Sequence, residues 1–264
     1  MSATVFLGGG RITGALLSGL RLAGYDASIV VHDRHLSKMR ALHREYGTTA
    51  EPDLRRALAQ ARLLILAVRP DTVRAVLSAI GRINRRITAV SLAAGVPLAR
   101  LRRRLGPPVR WARAMPSPTC RSGHGFTALA FSPDMPAGER KRVREFFARV
   151  GEVIEIAEAT FDAFTATYSS SHGYHALAAL SRAGQKLGLD QRTALRAAAH
   201  ALAGGVTAFT EGNLPLDKLM QEAATPGGIA AAVIKTMDDA GYYRIIERGV
   251  RAGVTRARAN ARRA

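Results

Sequence analysis

The chain has 264 residues, 47% hydrophobic and 22% charged, enough to bury a sizeable core in one large domain or two. A single cysteine, Cys120, excludes an intramolecular disulfide and a cysteine-cluster metal site, so no metal is expected. No apolar run reaches the roughly 18 residues of a membrane span, and the N-terminus lacks the basic-then-apolar pattern of a signal peptide, so a cytoplasmic protein without a membrane partner is expected. The anomaly is a formal net charge of +19. Residues 97–114 carry Arg100, Arg102, Arg103, Arg104, Arg110 and Arg113 with no acid, and the last 24 residues carry seven arginines against Glu247 alone. Neither stretch interleaves aromatics regularly with its arginines and no nucleic-acid-binding motif accompanies them, so a solvated basic surface is expected rather than a nucleic-acid partner.

In chain order, the apolar run Val5-Phe6-Leu7 ends on Gly8 and Gly10, a helical segment follows from Ile12 to Ala23, and a second apolar run, residues 27–31, ends at Asp33. Strand, glycine turn, helix, strand is the pattern of a dinucleotide-binding unit. Gly8 permits the tight turn. Gly10 lets the backbone approach a pyrophosphate, which then lies at the helix N-terminus beside Arg11 and Ile12. The fingerprint is imperfect, because Thr13 stands at the third glycine place and Gly14 comes one residue late. Asp33 suits a free ribose 2′-hydroxyl and hence NADH; Arg34 suits a 2′-phosphate and hence NADPH, which the positive field also favours.

Leu36 to Tyr46 reads as a helix. Leu63 to Val68 is a continuous apolar run stopped by Arg69-Pro70, the signature of a buried parallel strand. A helix over Asp71–Ile80 stops at Gly81, and Thr88–Leu92 is the next strand, closed by Ala93-Ala94-Gly95. A short helix from Pro97 to Leu105, strands at Val109–Ala114 and Phe126–Phe131, a helix from Ala137 to Val150 and a strand over residues 153–156 complete the first half. Alternating strands and helices imply a doubly wound parallel sheet. The second half, from about Ala157, is alanine-rich and helical throughout. Asp190 is the predicted N-cap of a helix to about Thr210 with its stop at Gly212, and residues 225–228 interrupt two further helical stretches. The domains are set at 1–157 and 158–264.

Several segments together resemble one family, the pyrroline-5-carboxylate reductases: residues 6–12, Leu66-Ala67-Val68-Arg69-Pro70, residues 91–96, Arg113-Ala114-Met115-Pro116-Ser117, residues 162–166 and Ala224-Thr225-Pro226-Gly227-Gly228. The resemblance spans essentially the whole chain. It implies an α/β protein with an N-terminal Rossmann domain and an all-α dimerisation domain, active as a homodimer or higher homo-oligomer. The implied reaction is hydride transfer from NADPH, or NADH, to the carbon of a small cyclic imine. Ala67, Val68 and Pro70 would line the adenosine and ribose side. Ala93, Ala94 and Gly95 would approach the nicotinamide half through backbone, with Ser117, where the family has Asn, close by.

The substrate end departs from the family pattern. The family's Ser-Gly-Ser-Gly-Pro-Ala-Tyr appears as residues 168–174, with Ser170 and Tyr174 in register and His172 in place of the proline. After the Pro-Gly-Gly turn stands Ala230, where the family has the threonine expected to hydrogen-bond the imine nitrogen. Arg11 replaces the glycine-loop Asn. One reading is a reductase with a shifted substrate, in which His172, with Ser170, supplies the proton. Substrate would then meet Ser170, Ser171, Tyr174, Ala230 and the Gly227 and Gly228 amides, which can nest a carboxylate; Ser170 and Ser171 equally suit a helix cap. The other reading is an ordinary proline-forming enzyme that tolerates the loss; the alternative class is a catalytically silent relative acting as a dimeric binding protein.

Overall fold

The computed structural model describes residues 3–263. The first half follows the alternation in order: β1 (Ala3–Leu7), α1 (Arg11–Leu22), β2 (Ile29–His32), α2 (Leu36–Tyr46), β3 (Thr49–Ala50), α3 (Leu54–Gln60), β4 (Ala61–Leu66), α4 (Pro70–Ile80), β5 (Ile87–Ser91), α5 (Leu98–Arg104) and β6 (Val109–Pro116). A 3-10 turn at Pro118–Ser122 leads into β7 (Gly125–Phe131), α6 (Ala137–Ala148) and β8 (Gly151–Glu155). A second 3-10 turn, Glu158–Thr160, opens into α7 (Phe161–Thr167). The elements β3 and α3 were not anticipated from the sequence. They are too short to show a period, although Asp53 caps α3 by accepting from the Arg56 amide at 2.9 Å.

The eight strands form one sheet in the order β3-β2-β1-β4-β5-β6-β7-β8. Neighbours are parallel except β6 and β7, which run antiparallel with Ala114 opposite Leu129. The parallel pattern read from the sequence is corrected at that pair. Its cause is the connection: residues 117–124 are fewer than the dozen or so that a parallel crossover needs. Side chains alternate across the sheet as the pleat requires. Val5, Leu7, Leu64, Leu66 and Trp111 enter one apolar layer, under α3, α4 and α5. Phe6, Ile65, Val90 and Phe147 enter the other, with Leu16, Leu17 and Leu20 of α1. The unbroken apolar run of β4 therefore serves two faces.

The chain divides into two compact units. One runs to Thr167 and takes in the stretch from Arg251 onward; the other is Tyr168–Val250. The boundary read from the sequence, 157/158, lies ten residues earlier and did not anticipate that the end of the chain rejoins the first unit. The second unit contains α8 (Ser171–Lys186), α9 (Gln191–Glu211), α10 (Leu216–Ala223) and α11 (Ile229–Asp239), and α12 (Tyr242–Arg263) begins within it. Asp190 caps α9 as its sequence suggests, accepting from the Thr193 amide at 3.0 Å, and Gly212 ends it. Gly184 lets α8 and α9 approach, its Cα facing Ala194. Only Ser181, Ala194 and Ala198 are buried on these two helices. Large apolar side chains stay open: Val206 is 63% exposed, Phe209 51%, Leu216 54% and Ile245 61%.

A candidate dinucleotide groove and substrate segment

The glycine turn is built by contact and charge. Gly8 has φ +108°, and a Cβ there would lie 2.4 Å from the Ala67 carbonyl oxygen, so β1 and β4 close on each other with no room for a side chain. Thr13, at the third fingerprint position, donates its hydroxyl to the Gly8 carbonyl at 2.6 Å and is fully buried. The third glycine is thus replaced by a hydroxyl that fastens the turn to α1. Gly10 is the N-cap of α1, with no side-chain cap, and a Cβ at Gly10 would meet nothing within 4 Å. The space above it opens into a groove of about 760 Å³. First-turn amides facing an open cavity fit a pyrophosphate.

Asp33 is placed differently from a free ribose reader. Its Oδ2 accepts from the Gly9 amide and its Oδ1 from the His35 amide, both at 2.8 Å. Burial pushes its carboxyl up, but the Gly9 and His35 amides, with Lys38 and His35 charge nearby, outweigh that and hold it below the usual carboxylate range. The ionised side chain ties β2 to the glycine loop. Arg34 is exposed, and Arg11, Arg34, Lys38 and Arg69 line the groove around it.

The groove also brings together Gly8, Gly10, Ala67 and Val68 from the sequence-based set. Ile12 is partly buried against the second apolar layer. Pro70 lines a smaller neighbouring cleft with Arg69, Asp71, Arg256 and Asn260. Ala94 and Gly95 lie against the C-terminal part of α12: Asn260 donates to the Ala94 carbonyl at 3.5 Å. Ala93 is buried in the first apolar layer. The Ser117 hydroxyl is used locally, accepting from the Phe126 amide at 3.1 Å and pairing with Thr119 at 2.6 Å. Lys38, Arg69, Arg256 and Asn260 were missed. Lys38 had a signal, one helical turn beyond Arg34; Asn260, 166 residues from Ala94, had none.

A buried clasp supports the far side of the same strand ends. Arg113 on β6 is almost fully buried, stacks on Phe161 with its guanidinium 4.2 Å from the ring centroid, and pairs with Asp162 at 3.0 Å and Glu158 at 3.4 Å. Glu158 also accepts from the Leu98 amide at the start of α5, at 2.6 Å. One arginine thus fixes where the chain leaves β8 relative to β5 and β6.

In the second unit, residues 170–174 form the start of α8. Ser170 precedes it with no side-chain cap bond. The local bonds come from Ser169, whose hydroxyl pairs with that of Ser171 at 2.7 Å, so the capping role considered for Ser170 is not observed. His172 is half-buried in the first turn, and Tyr174 is 69% exposed. Gly227 has φ +74° and Gly228 caps α11, with no side-chain cap, ahead of Ala230 in its first turn. These are two separate helix starts.

Comparison with known proteins agrees with both units. Residues 158–260 match the model described as pyrroline-5-carboxylate reductase dimerisation, and residues 4–95 match NADP oxidoreductase coenzyme F420-dependent. Pyrroline-5-carboxylate reductase of Corynebacterium melassecola is 30% identical, covering 92% of this chain and 94% of that one. The Thermus thermophilus protein of the same name is 32% identical, covering 94% and 96%. The chain belongs to the pyrroline-5-carboxylate reductase family. The solved reductase of Coxiella burnetii superposes with a TM-score of 0.86 at 25% identity, covering 98% of each chain. Family membership accounts for the order of the motifs. It leaves this member's own chemistry at Arg11, His172 and Ala230 to be explained from the residues themselves.

Proposed function

We propose that this protein is an NADPH-dependent imine reductase that reduces pyrroline-5-carboxylate, or a closely related cyclic imine, as a cytoplasmic homodimer. The observation that carries the reading is the groove itself: a glycine turn with open space at Gly10, an uncapped helix start, and four cationic side chains lining it, Arg11, Arg34, Lys38 and Arg69. Asp33 already satisfies two backbone amides, so a ribose 2′-phosphate would meet Arg34 and Lys38 more than a competing carboxylate; this favours NADPH over NADH. The open apolar side chains of α9 and α10 suit a second copy of the chain.

When bound, reduced nicotinamide supplies hydride to the imine carbon. The protein's share is to orient the two rings and deliver a proton to the nitrogen. Ala230 has no donor. His172 takes that role in this reading, with Ser170 beside it, while the Gly227 and Gly228 amides nest a carboxylate.

NADPH oxidation with pyrroline-5-carboxylate, piperideine carboxylates and unsubstituted pyrroline tests the activity. Turnover of at least one is expected; NADPH binding with no turnover of any would instead make this a silent relative. His172→Ala should lower turnover at least about tenfold, the lower end of general acid catalysis, and flatten the pH profile near neutrality. Ala230→Thr should raise activity on pyrroline-5-carboxylate. Full activity and an unchanged profile in His172→Ala would remove histidine from the mechanism.

A further inference from the structure

The strand order fixes how a dinucleotide runs across this sheet. The sequence β3-β2-β1-β4-β5-β6 reverses direction between β1 and β4, and ligands of such sheets cross the crevice at that point. The adenosine half belongs on the side of Asp33 and Arg34, after β2. The other half must then extend over the turns that follow β4 and β5. Strand spacings of about 4.8 Å put the β5 end roughly 14 Å from the β2 end. The β5 turn is Ala93-Ala94-Gly95, and it is not shaped by its own neighbourhood alone.

The C-terminal part of α12 is packed directly on it. Gly95 has φ +78°, and a Cβ there would fall 2.1 Å from the Ala257 carbonyl oxygen, so the backbones of turn and helix are in van der Waals contact. Asn260 donates its side-chain amide to the Ala94 carbonyl at 3.5 Å. It also lines the cleft beside Pro70 together with Arg256. One turn earlier, Gly253 passes Ala166 with only 2.9 Å available to a Cβ. Gly253, Ala257 and Asn260 lie on one face of the helix, at spacings of four and three. That face is small where it must pass backbone and polar where it meets an open carbonyl.

We propose that Ala257 and Asn260 are positioning residues for the nicotinamide half of the cofactor. They set the height and tilt of the Ala93–Gly95 backbone from the far end of the chain, while the adenosine half is held without them. The inference rests on the reading of the groove as the dinucleotide site. It adds a division of labour within that site: residues 8–38 hold the adenosine end, and the last turns of α12 set the reactive end.

The test separates the two halves of the ligand in the full-length protein. Affinities of NADPH and of 2′-phospho-ADP-ribose, which lacks the nicotinamide, are measured by calorimetry for wild type, Ala257→Leu, Asn260→Ala and Asn260→Asp. Ala257→Leu should weaken NADPH at least tenfold and leave 2′-phospho-ADP-ribose within twofold. Asn260→Ala, a milder change that spares the packing, should lower kcat for imine reduction about threefold to tenfold with little change in the imine KM. Asn260→Asp, which turns a donor toward the carbonyl into an acceptor, should be worse than Asn260→Ala. Parallel loss of both ligands, or no loss of either, would overturn the assignment. A wild type that binds neither ligand would instead overturn the groove reading beneath it.

Discussion

Residues 3–167 bury Phe6, Leu16, Leu17, Ile65, Trp111 and Phe147 completely, on two faces of one sheet. The helices of residues 168–250 bury Ser181, Ala194 and Ala198 and leave Val206, Phe209, Leu216 and Ile245 more than half exposed. The two regions have similar apolar content to spend but different ways of covering it. A doubly wound sheet covers its strands with its own helices. The long alanine-rich helices of the second region leave these apolar side chains open, the kind of surface that marks a protein–protein contact. Reactivity divides the same way. The groove has its charges and its glycine turn within the first unit, whereas the second unit offers two helix starts, at Ser170 and Gly228, with no side-chain cap on either.

The largest effect should come from breaking the second region's cover. Val206→Glu with Phe209→Glu should convert the assembly to monomers in sedimentation at micromolar concentration and abolish imine reduction. A wild type that is itself a stable monomer would end the comparison. In the first region, Trp111→Ala should cost about 3–5 kcal/mol in denaturant unfolding, since it empties a fully buried site and orphans the Leu105 carbonyl to which its indole donates at 2.7 Å. Gly10→Val should leave that stability nearly intact, because the Cβ has room, yet weaken NADPH about a hundredfold, roughly 2.7 kcal/mol. Arg34→Ala should weaken NADPH about tenfold and leave NADH unchanged; equal loss of both would move 2′-phosphate recognition elsewhere in the groove.

The smallest effect concerns Cys120, buried beneath α1. Desolvation pushes its thiol from 9.0 up to about 11. The folded chain keeps the thiol proton where the unfolded chain loses it, so this group's contribution to stability is whole below about pH 9 and is lost as pH rises toward 11. Iodoacetamide at pH 8 should alkylate Cys120 only after denaturation. Rapid alkylation of the native protein would show that the α1 contact opens.

What the sequence disclosed, and what it withheld, follows the range of the interactions. The β1–α1–β2 unit, the Asp190 cap and the Gly212 stop were legible because each is written within a few residues of itself. The reversal at β7 was not, since the short link over residues 117–124 carries no apolar period. Asp33 was singled out as a ribose reader, but its bond to Gly9 spans 24 residues and changes what its oxygens are free to do. Arg113 read as one more surface arginine in a basic stretch. Its burial depends on Glu158 and Asp162, 45 and 49 residues further on.

The return of the chain end to the β5 turn also sets an order of events in folding. Ala94 and Asn260 are 166 residues apart, and closing a loop of that length costs on the order of 4–5 kcal/mol of chain entropy. The sheet can form from its own local crossovers long before that closure. The glycine turn therefore matures first, and the β5 turn stays unbraced until residues 257–260 have docked on it. A folding intermediate that has not yet made the Ala94–Asn260 contact would keep its glycine turn at Gly8 and Gly10 while its β5 turn is still free to move.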